Sequence, residues 1–333
     1  MAANIQSFAS RRIPAWHNLG IVMDGQVTQE AAGLNWNVYD HPIITPSRID
    51  EIQGEIVRIP GKEYATKKWI MRDDTNEPIG IVGSDYVSIQ NTELFQFMKD
   101  LSEFDVDFSI ETAGALGNGE TVFVLAKMEG LRVHLGNDIV DPYIMLCNGH
   151  TGNRKMIVLP TGIRVVCQNT LRMALQGAKG ATGLSKGWAI RHTTNAHERL
   201  AQARISLQEV AKEWNATKEA MERLAEARAD EDEILKLIEG TFGMVNKESK
   251  KGATIAENRN KAIFDILESP TSKGLDTEGS VWSAMNAITE WLDHDSTIRS
   301  ENKMKARVEN NLIDGPSINY KEKAWNTAMA MVA

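Results

Sequence analysis

The chain has 333 residues, of which 42% are hydrophobic and 25% charged. That balance can bury a large core and excludes a disordered, fibrous or collagen-like protein. A net charge of −8 excludes a histone-like basic coat, so any polyanion has to be met by a local cluster of cations.

The first elements in chain order are short. Residues 11–20, RRIPAWHNLG, read as irregular structure anchored by Trp16, with His17 open either to packing or to base chemistry. Thr28 to Ala32 predicts a short helix closed by Gly33, and Trp36 to Thr45 an edge strand bounded by Pro42 and Pro46. Glu55 to Ile59, Tyr64 to Arg72 and Ile79 to Val82 then read as a β-meander, with Asp73 to Asn76 as a turn. Tyr86 to Ile89 is a further strand candidate. Asn91 can cap a helix carrying Leu94, Phe95, Met98 and Leu101. Phe108 to Thr112 and Thr121 to Met128 flank the glycine run Gly114 to Gly119. Strand follows that run, and no Gly-Lys-Ser/Thr is present, so it reads as a hairpin turn and not as a phosphate loop.

The segment Tyr143 to Leu175 stands out. Two β-rich runs, Tyr143 to Cys147 and Met156 to Leu159, flank the polar cluster Asn148-Gly-His-Thr-Gly-Asn153, which reads as a hairpin loop followed by Arg154-Lys155. Gln168 to Leu175 reads as helix. From Pro142 to His197 there is no Asp or Glu, where the chain average predicts about 8. The same stretch holds Arg154, Lys155, Arg164, Arg172, Lys179, Lys186 and Arg191. This is the footprint a phosphate-bearing partner selects, provided the cations share a face instead of being spread over several. Residues 177–187, GAKGATGLSKG, read as a basic loop whose backbone can approach phosphate, or as a linker.

Beyond Asn195 the pattern turns helical. Leu200, Ala203, Leu207, Val210, Trp214, Thr217, Met221 and Leu224 alternate at spacings of three and four, which predicts a heptad-patterned helix over 195–228. Asp230 to Glu233 suits the first turn of the next helix. Further helices are expected at 256–268, 280–293 and 320–332. The expected fold class is α+β: a mainly antiparallel β-sheet with packed helices, followed by an all-helical region. Expected domains are a core over 1–193, containing the basic segment 142–197, and a helical region over 194–333.

Chemistry is thin. No His-Glu-x-x-His, paired Cys-x-x-Cys, Walker loop or Gly-x-Ser-x-Gly elbow occurs. Asp293-His294-Asp295 point in different directions on a helix and are not expected to share a metal. Asp105 and Asp107 would share a strand face able to hold Mg²⁺, and with His150 they are the residues a hydrolase or nuclease reading would use, the last-ranked of the function classes. Cys147 and Cys167 sit in apolar runs and read as buried thiols of a reducing compartment. No signal-peptide or membrane-length apolar stretch is seen.

Several blocks resemble a known family: Pro14-Ala-Trp-His-Asn-Leu-Gly20, Val82-Gly-Ser-Asp-Tyr86 with Gln90-Asn91, Glu111-Thr-Ala-Gly114, Arg164-Val-Val-Cys-Gln-Asn-Thr-Leu171, Ile190-Arg-His-Thr193 and Trp282 through His294. They are similar to the phage/plasmid-like protein family built on domain of unknown function 932. The resemblance covers nearly the whole chain and implies a mobile-element protein of a bacteriophage or its host. It brings no activity and no catalytic residues. Together with the basic segment it leads to the expectation of a nucleic-acid-binding protein, with single-strand DNA annealing in phage recombination or replication as the specific activity expected. Such a protein would be cytoplasmic and homo-oligomeric, with no cofactor and no membrane. Arg154, Lys155, Arg164, Arg172, Lys179, Lys186 and Arg191 are expected to meet phosphate, and Asn169 to make a polar contact. The alternative is a non-enzymatic interaction module acting through its helical half.

Overall fold

The computed structural model describes residues 5–10, 21–22, 25–52, 55–101, 107–164, 170–171, 188–207, 210–244, 250–301, 303–308, 310–311 and 315–333. Strands dominate the first half, where β-branched and aromatic residues alternate with polar ones or run without interruption. In order they are β1 (Ile5–Ser10), β2 (Ile21–Val22), β3 (Val38–Ile44), β4 (Arg48–Ile52), β5 (Glu55–Ile59), β6 (Glu63–Arg72) and β7 (Pro78–Gly83), then helix α1 (Asn91–Leu101). After it come β8 (Phe108–Leu116), β9 (Thr121–Met128), β10 (Val133–Leu135), β11 (Asp138–Gly149), β12 (Met156–Arg164), β13 (Thr170–Leu171) and β14 (Trp188–Ile190).

The main sheet has the order β13-β12-β11-β9-β8-β1-β2, with β10 beside β11 and β14 beside β12. All its pairs are antiparallel except β1 with β2. Both faces are buried, which is why β9 reads as a nearly continuous apolar run. Val122, Val124, Ala126 and Met128 face one core. Phe123 and Leu125 face the other, with Tyr143, Met145, Cys147, Ile157 and Leu159. The period of two delivers alternate residues to opposite sides.

A second sheet, β3-β6-β7, carries an arm. Ile44 pairs with Glu63, Thr45 N donates to Lys62 O, and Arg48 to Ile52 pair with Ile59 to Glu55 in the same running register. β3 to β6 thus form one long hairpin whose outer half, β4 and β5, is a two-stranded ribbon standing off the body.

The second half is helical: α2 (Ala196–Leu207), α3 (Val210–Glu226), α4 (Glu231–Phe242), α5 (Lys250–Leu267), α6 (Val281–Glu290), a π-helical turn Trp291–Asp295, α7 (Lys303–Val308) and α8 (Pro316–Met331). Asp230 caps α4 through a reciprocal box with Glu233, as its acidic first turn suggests. Ser280 caps α6, accepting from Ser283 N at 3.1 Å. Every residue from Val281 to Thr289 is buried, so α6 is the hub on which α3, α4, α5 and α8 pack. One hydrophobic cluster runs from Val27 through the sheet to Ala328, joining the two halves. Their polar bolt is Asp138, whose Oδ2 accepts from Thr277 Oγ1 at 2.8 Å and Trp282 Nε1 at 2.9 Å.

The α+β expectation holds: antiparallel strands precede a helical region. Four local expectations change, and a fifth turns on residues outside the described ones. Thr28 to Ala32 forms a single turn, with Ala32 N on Thr28 O, before Gly33 at φ +65°. It is too short to repay helix nucleation. Tyr86 to Ile89 lies in no sheet. Thr170–Leu171 is strand and not helix, because the open edge of β12 offers Gly162 and Ile163 as ladder partners. The helix expected to run to Asp293 widens after Glu290 into the π turn, with Ser296 N on Trp291 O. The helix expected over 195–228 is helical on both sides, as α2 and α3, and whether they are continuous rests on 208–209, which lie outside the described residues.

Candidate nucleic-acid interface

The hairpin loop expected at 148–153 joins β11 to β12, and it is seated on a buried polar clasp. Tyr86 to Gln90 links β7 to α1 outside any helix or ladder, so its backbone groups need other partners. Alternate positions supply them. His192 Nδ1 lies 3.0 Å from Val87 O, Asn148 Nδ2 donates to Ile89 O at 2.9 Å, and His150 Nε2 lies 3.0 Å from Asn91 Oδ1. Asn91 in turn donates from Nδ2 to Trp36 O at 3.0 Å. Both ends of its amide are engaged, so it does not cap α1. Ahead of the helix the Gln90 N–H donates to Glu93 Oε2 at 2.6 Å, while the Gln90 side chain is bonded to the backbone of Val38.

Aromatic groups close the clasp. Trp36 meets the His150 ring edge-on at 5.5 Å, and the Arg72 guanidinium lies 4.1 Å from the Trp36 ring. Tyr86 stacks on His192 at 4.6 Å and donates its hydroxyl to Gly149 O at 2.7 Å. Burial pushes the His150 pKa down to about 3, helped by the neighbouring His192 and Arg72. Burial also lowers His192, against the opposing bond to Val87. Both imidazoles are neutral at pH 7. With each ring's N–H spent on an oxygen, His150 Nδ1 and His192 Nε2 are lone-pair acceptors, and neither finds a partner among the described residues. His150 is therefore a positioning residue of the loop.

The loop tip packs on β7. A Cβ on Gly80 would stand 3.0 Å from Thr151 Cα, so a glycine there permits the approach. From this seat β12 sets out carrying the cations. Met156 pairs with Ile190, which places Lys155 opposite Arg191 at the mouth of the β12/β14 ladder. Both side chains are exposed, and neither has an ion-pair partner among the described residues. Arg154 is half-buried, with Nη1 enclosed, and its Cβ crosses over Gly149. Arg164 lies at the far end of β12, opposite Val140. Nine residues of strand separate it from Lys155, roughly 30 Å. The candidates thus divide between two ends of one strand. Asn169, Arg172, Lys179 and Lys186 lie outside the described residues, as do Asp105, Cys167 and the Pro14 to Gly20 block.

Other groups singled out by sequence settle into structural contacts. His197 Nδ1 lies 2.8 Å from Glu93 Oε1, tying α2 to α1. Asp293 is buried against Lys321 of α8. Asp107 is exposed and Cys147 is a buried free thiol. Among the described residues, no group of three or more His, Cys, Asp or Glu is placed to hold a metal, and no helix is long and apolar enough to cross a membrane. Asn91, Arg72, Trp36 and Tyr86 are members of the clasp that sequence reasoning did not single out for it. The available signal was the matching period of two in Val87-Ile89-Asn91 and Asn148-His150.

The sequence model of one family, described as a domain of unknown function (DUF932), matches residues 78–312. No curated protein and no solved structure matches the chain. The match begins at β7, beyond the arm, and takes in the clasp except Trp36 and Arg72, together with the β12/β14 ladder and the hub helix α6. The chain belongs to the DUF932 family.

Proposed function

We propose that this protein binds single-stranded DNA at the mouth of the β12/β14 ladder and acts as a homo-oligomer, as an annealing protein of a bacteriophage or other mobile element does. The observation that carries the reading is the Lys155–Arg191 juxtaposition. Two like charges opposite each other on adjacent strands repel. They lie in a stretch free of acidic residues, and among the described residues no carboxylate is paired with either. Such a pair costs stability in isolation and is relieved by a bound anion. A sugar-phosphate backbone crossing the strand ends supplies that anion repeatedly.

The oligomer rests on the arm. Ile49 and Ile56 are 75% and 82% exposed, on a ribbon that has no sheet neighbour among the described residues. Two strands alone are marginal in water, and exposed isoleucines on them favour a partner. The charges on the ribbon, Arg48, Asp50, Glu51, Glu55 and Arg58, are interspersed, which suits a second copy of the chain better than a polyanion. The heptad residues Leu200, Ala203, Trp214, Met221 and Leu224 are buried in the chain's own core. A partner docking on that seam has no surface there to use.

The test is salt-titrated binding to labelled single-stranded DNA. Each lost phosphate contact should reduce the slope of log affinity against log salt by about 0.7 for a single strand. Lys155→Ala and Arg191→Ala should each do so, with binding falling uniformly across sequences. Undetectable binding at low salt, or binding indifferent to both substitutions, refutes the reading.

A further inference from the structure

A cleft of about 570 Å³ opens in the helical region between the end of α4, α5, the π turn and the start of α8. This is the size of a small-molecule site. Its walls are aromatic. Phe242 meets Trp291 edge-on at 5.6 Å and tilts against Tyr320 at 5.0 Å. The guanidinium of Arg259 lies 4.2 Å from the Phe242 ring. Its Nε and Nη2 reach only the amide oxygen of Asn260, at 3.3 and 3.2 Å, and no carboxylate lies within ion-pair distance of it among the described residues. Half-buried without a carboxylate beside it, the guanidinium stays charged but loses part of its solvation, and burial lowers its pKa. The backbone beside it is the π-helical turn Trp291–Asp295, a distortion enriched at functional sites. Asp295, Thr297 and Asn310 add polar groups to the lining.

We propose that this cleft binds a nucleotide unit, with the base against the Trp291–Phe242–Tyr320 wall and the phosphate on Arg259. Aromatic faces accept any base by stacking, and a guanidinium presents a fork that fits phosphate oxygens. Thr297 and Asn310 are suited to sugar oxygens, and Asp295 accepts from a hydroxyl or an exocyclic amine. A free mononucleotide and the terminal nucleotide of a strand share this chemistry. The site is remote in sequence from Lys155 and Arg191 and does not depend on the reading given to them.

The experiment is calorimetric titration of the full chain with dAMP, with adenosine, with inorganic phosphate, and with a short oligonucleotide ending in a phosphate. The variants are Arg259→Met, Arg259→Lys and Lys155→Ala. If the site exists, dAMP or the oligonucleotide end binds more tightly than adenosine or phosphate alone. Arg259→Met weakens that binding about ten- to hundredfold, Arg259→Lys weakens it less, and Lys155→Ala leaves dAMP binding unchanged. Binding of dAMP identifies a free nucleotide, whereas an Arg259-dependent response confined to the oligonucleotide identifies a strand end. No binding by any probe to the unmodified chain overturns the proposal, as does binding that both Arg259 variants leave intact. Thermal melting of each variant separates loss of the site from loss of the fold, and Arg259→Lys retains the charge over Phe242 should Arg259→Met unfold.

Discussion

His150 Nε2 faces Asn91 Oδ1 across 3.0 Å, and the bond fixes the tautomer. Because the Asn91 Nδ2 is already given to Trp36 O, its Oδ1 can only accept, so the imidazole proton sits on Nε2. A second proton would have to enter on the enclosed Nδ1, beside the Arg72 charge that already disfavours it.

That geometry sets a pH dependence. The folded-state pKa of His150 lies at about 3, well below the ordinary 6.5. Between those values the unfolded chain binds a proton that the folded chain does not. Stability attributable to His150 is thus fully present above about pH 7 and is lost as pH falls towards 3, by about 1.4 kcal/mol per pH unit in the steepest part. His150→Gln retains an amide donor for Asn91 and removes the titration. Melting temperatures measured from pH 7 to pH 4 should fall more gently for the variant than for the parent. Parallel curves would dismiss His150 as the source.

Asp141 is held by a different balance. Burial raises its pKa, yet hydrogen bonds from Arg132, at 2.6 and 2.9 Å, and from Lys127 overcome this and hold the carboxyl below its usual range. Lys127 Nζ lies 3.1 Å from it, at 7% side-chain exposure. Asp141→Asn leaves that ammonium without its carboxylate, and denaturant unfolding should show a loss of about 3–5 kcal/mol. Lys127→Met on the same background should recover part of it, because the uncompensated charge is then gone.

How much of this was legible beforehand follows the range of the interactions. The long strands of the main sheet, β8, β9, β11 and β12, the hairpin at 148–153 and the acidic first turn of α4 are local patterns, and their residues announce them, whereas the short strands β1, β2, β10 and β13 carry no such pattern. The Lys155–Arg191 pairing depends on β14 returning to β12, and no property of either residue signals that register. The clasp joins Trp36, Val87, Asn91, Asn148 and His192, which are brought together only by folding. Asn91 misled for this reason: a good capping residue by type, it is drawn away by a carbonyl 55 residues earlier in the chain. The π turn carries no sequence mark beyond the buried Asp293, which needs Lys321 from α8.

The bolt between the two halves is testable through its tryptophan. Asp138→Ala strips acceptors from the buried Thr277 hydroxyl and the Trp282 indole together. Each orphaned donor costs about 1–3 kcal/mol, so the combined loss should be among the larger single-site effects in the protein. Asp138→Asn keeps an oxygen at the same place and should cost less. Equilibrium unfolding followed by tryptophan fluorescence would report it, with the Trp282 contribution changing in the native baseline as well as at the midpoint.

The arm makes the last claim. A ribbon whose sheet pairing among the described residues is its own five-residue ladder has little to hold it, yet Ile49 and Ile56 sit on one of its faces, where cross-strand neighbours are Arg58 and Glu51. If that face is covered by a second copy of the chain, Ile49→Glu with Ile56→Glu should abolish the association, because two buried carboxylates would face apolar surface. The body should be untouched, since neither side chain packs on it, so thermal melting of the variant at low concentration should match the parent within about 0.5 kcal/mol. Light scattering after size-exclusion chromatography is the measurement. A parent that is monomeric at all concentrations, or a variant whose mass equals that of an oligomeric parent, would remove the arm as a self-association device. A variant that loses mass but keeps the salt-dependent DNA affinity per chain would separate assembly from binding, because Lys155 and Arg191 stand on the sheet and not on the arm.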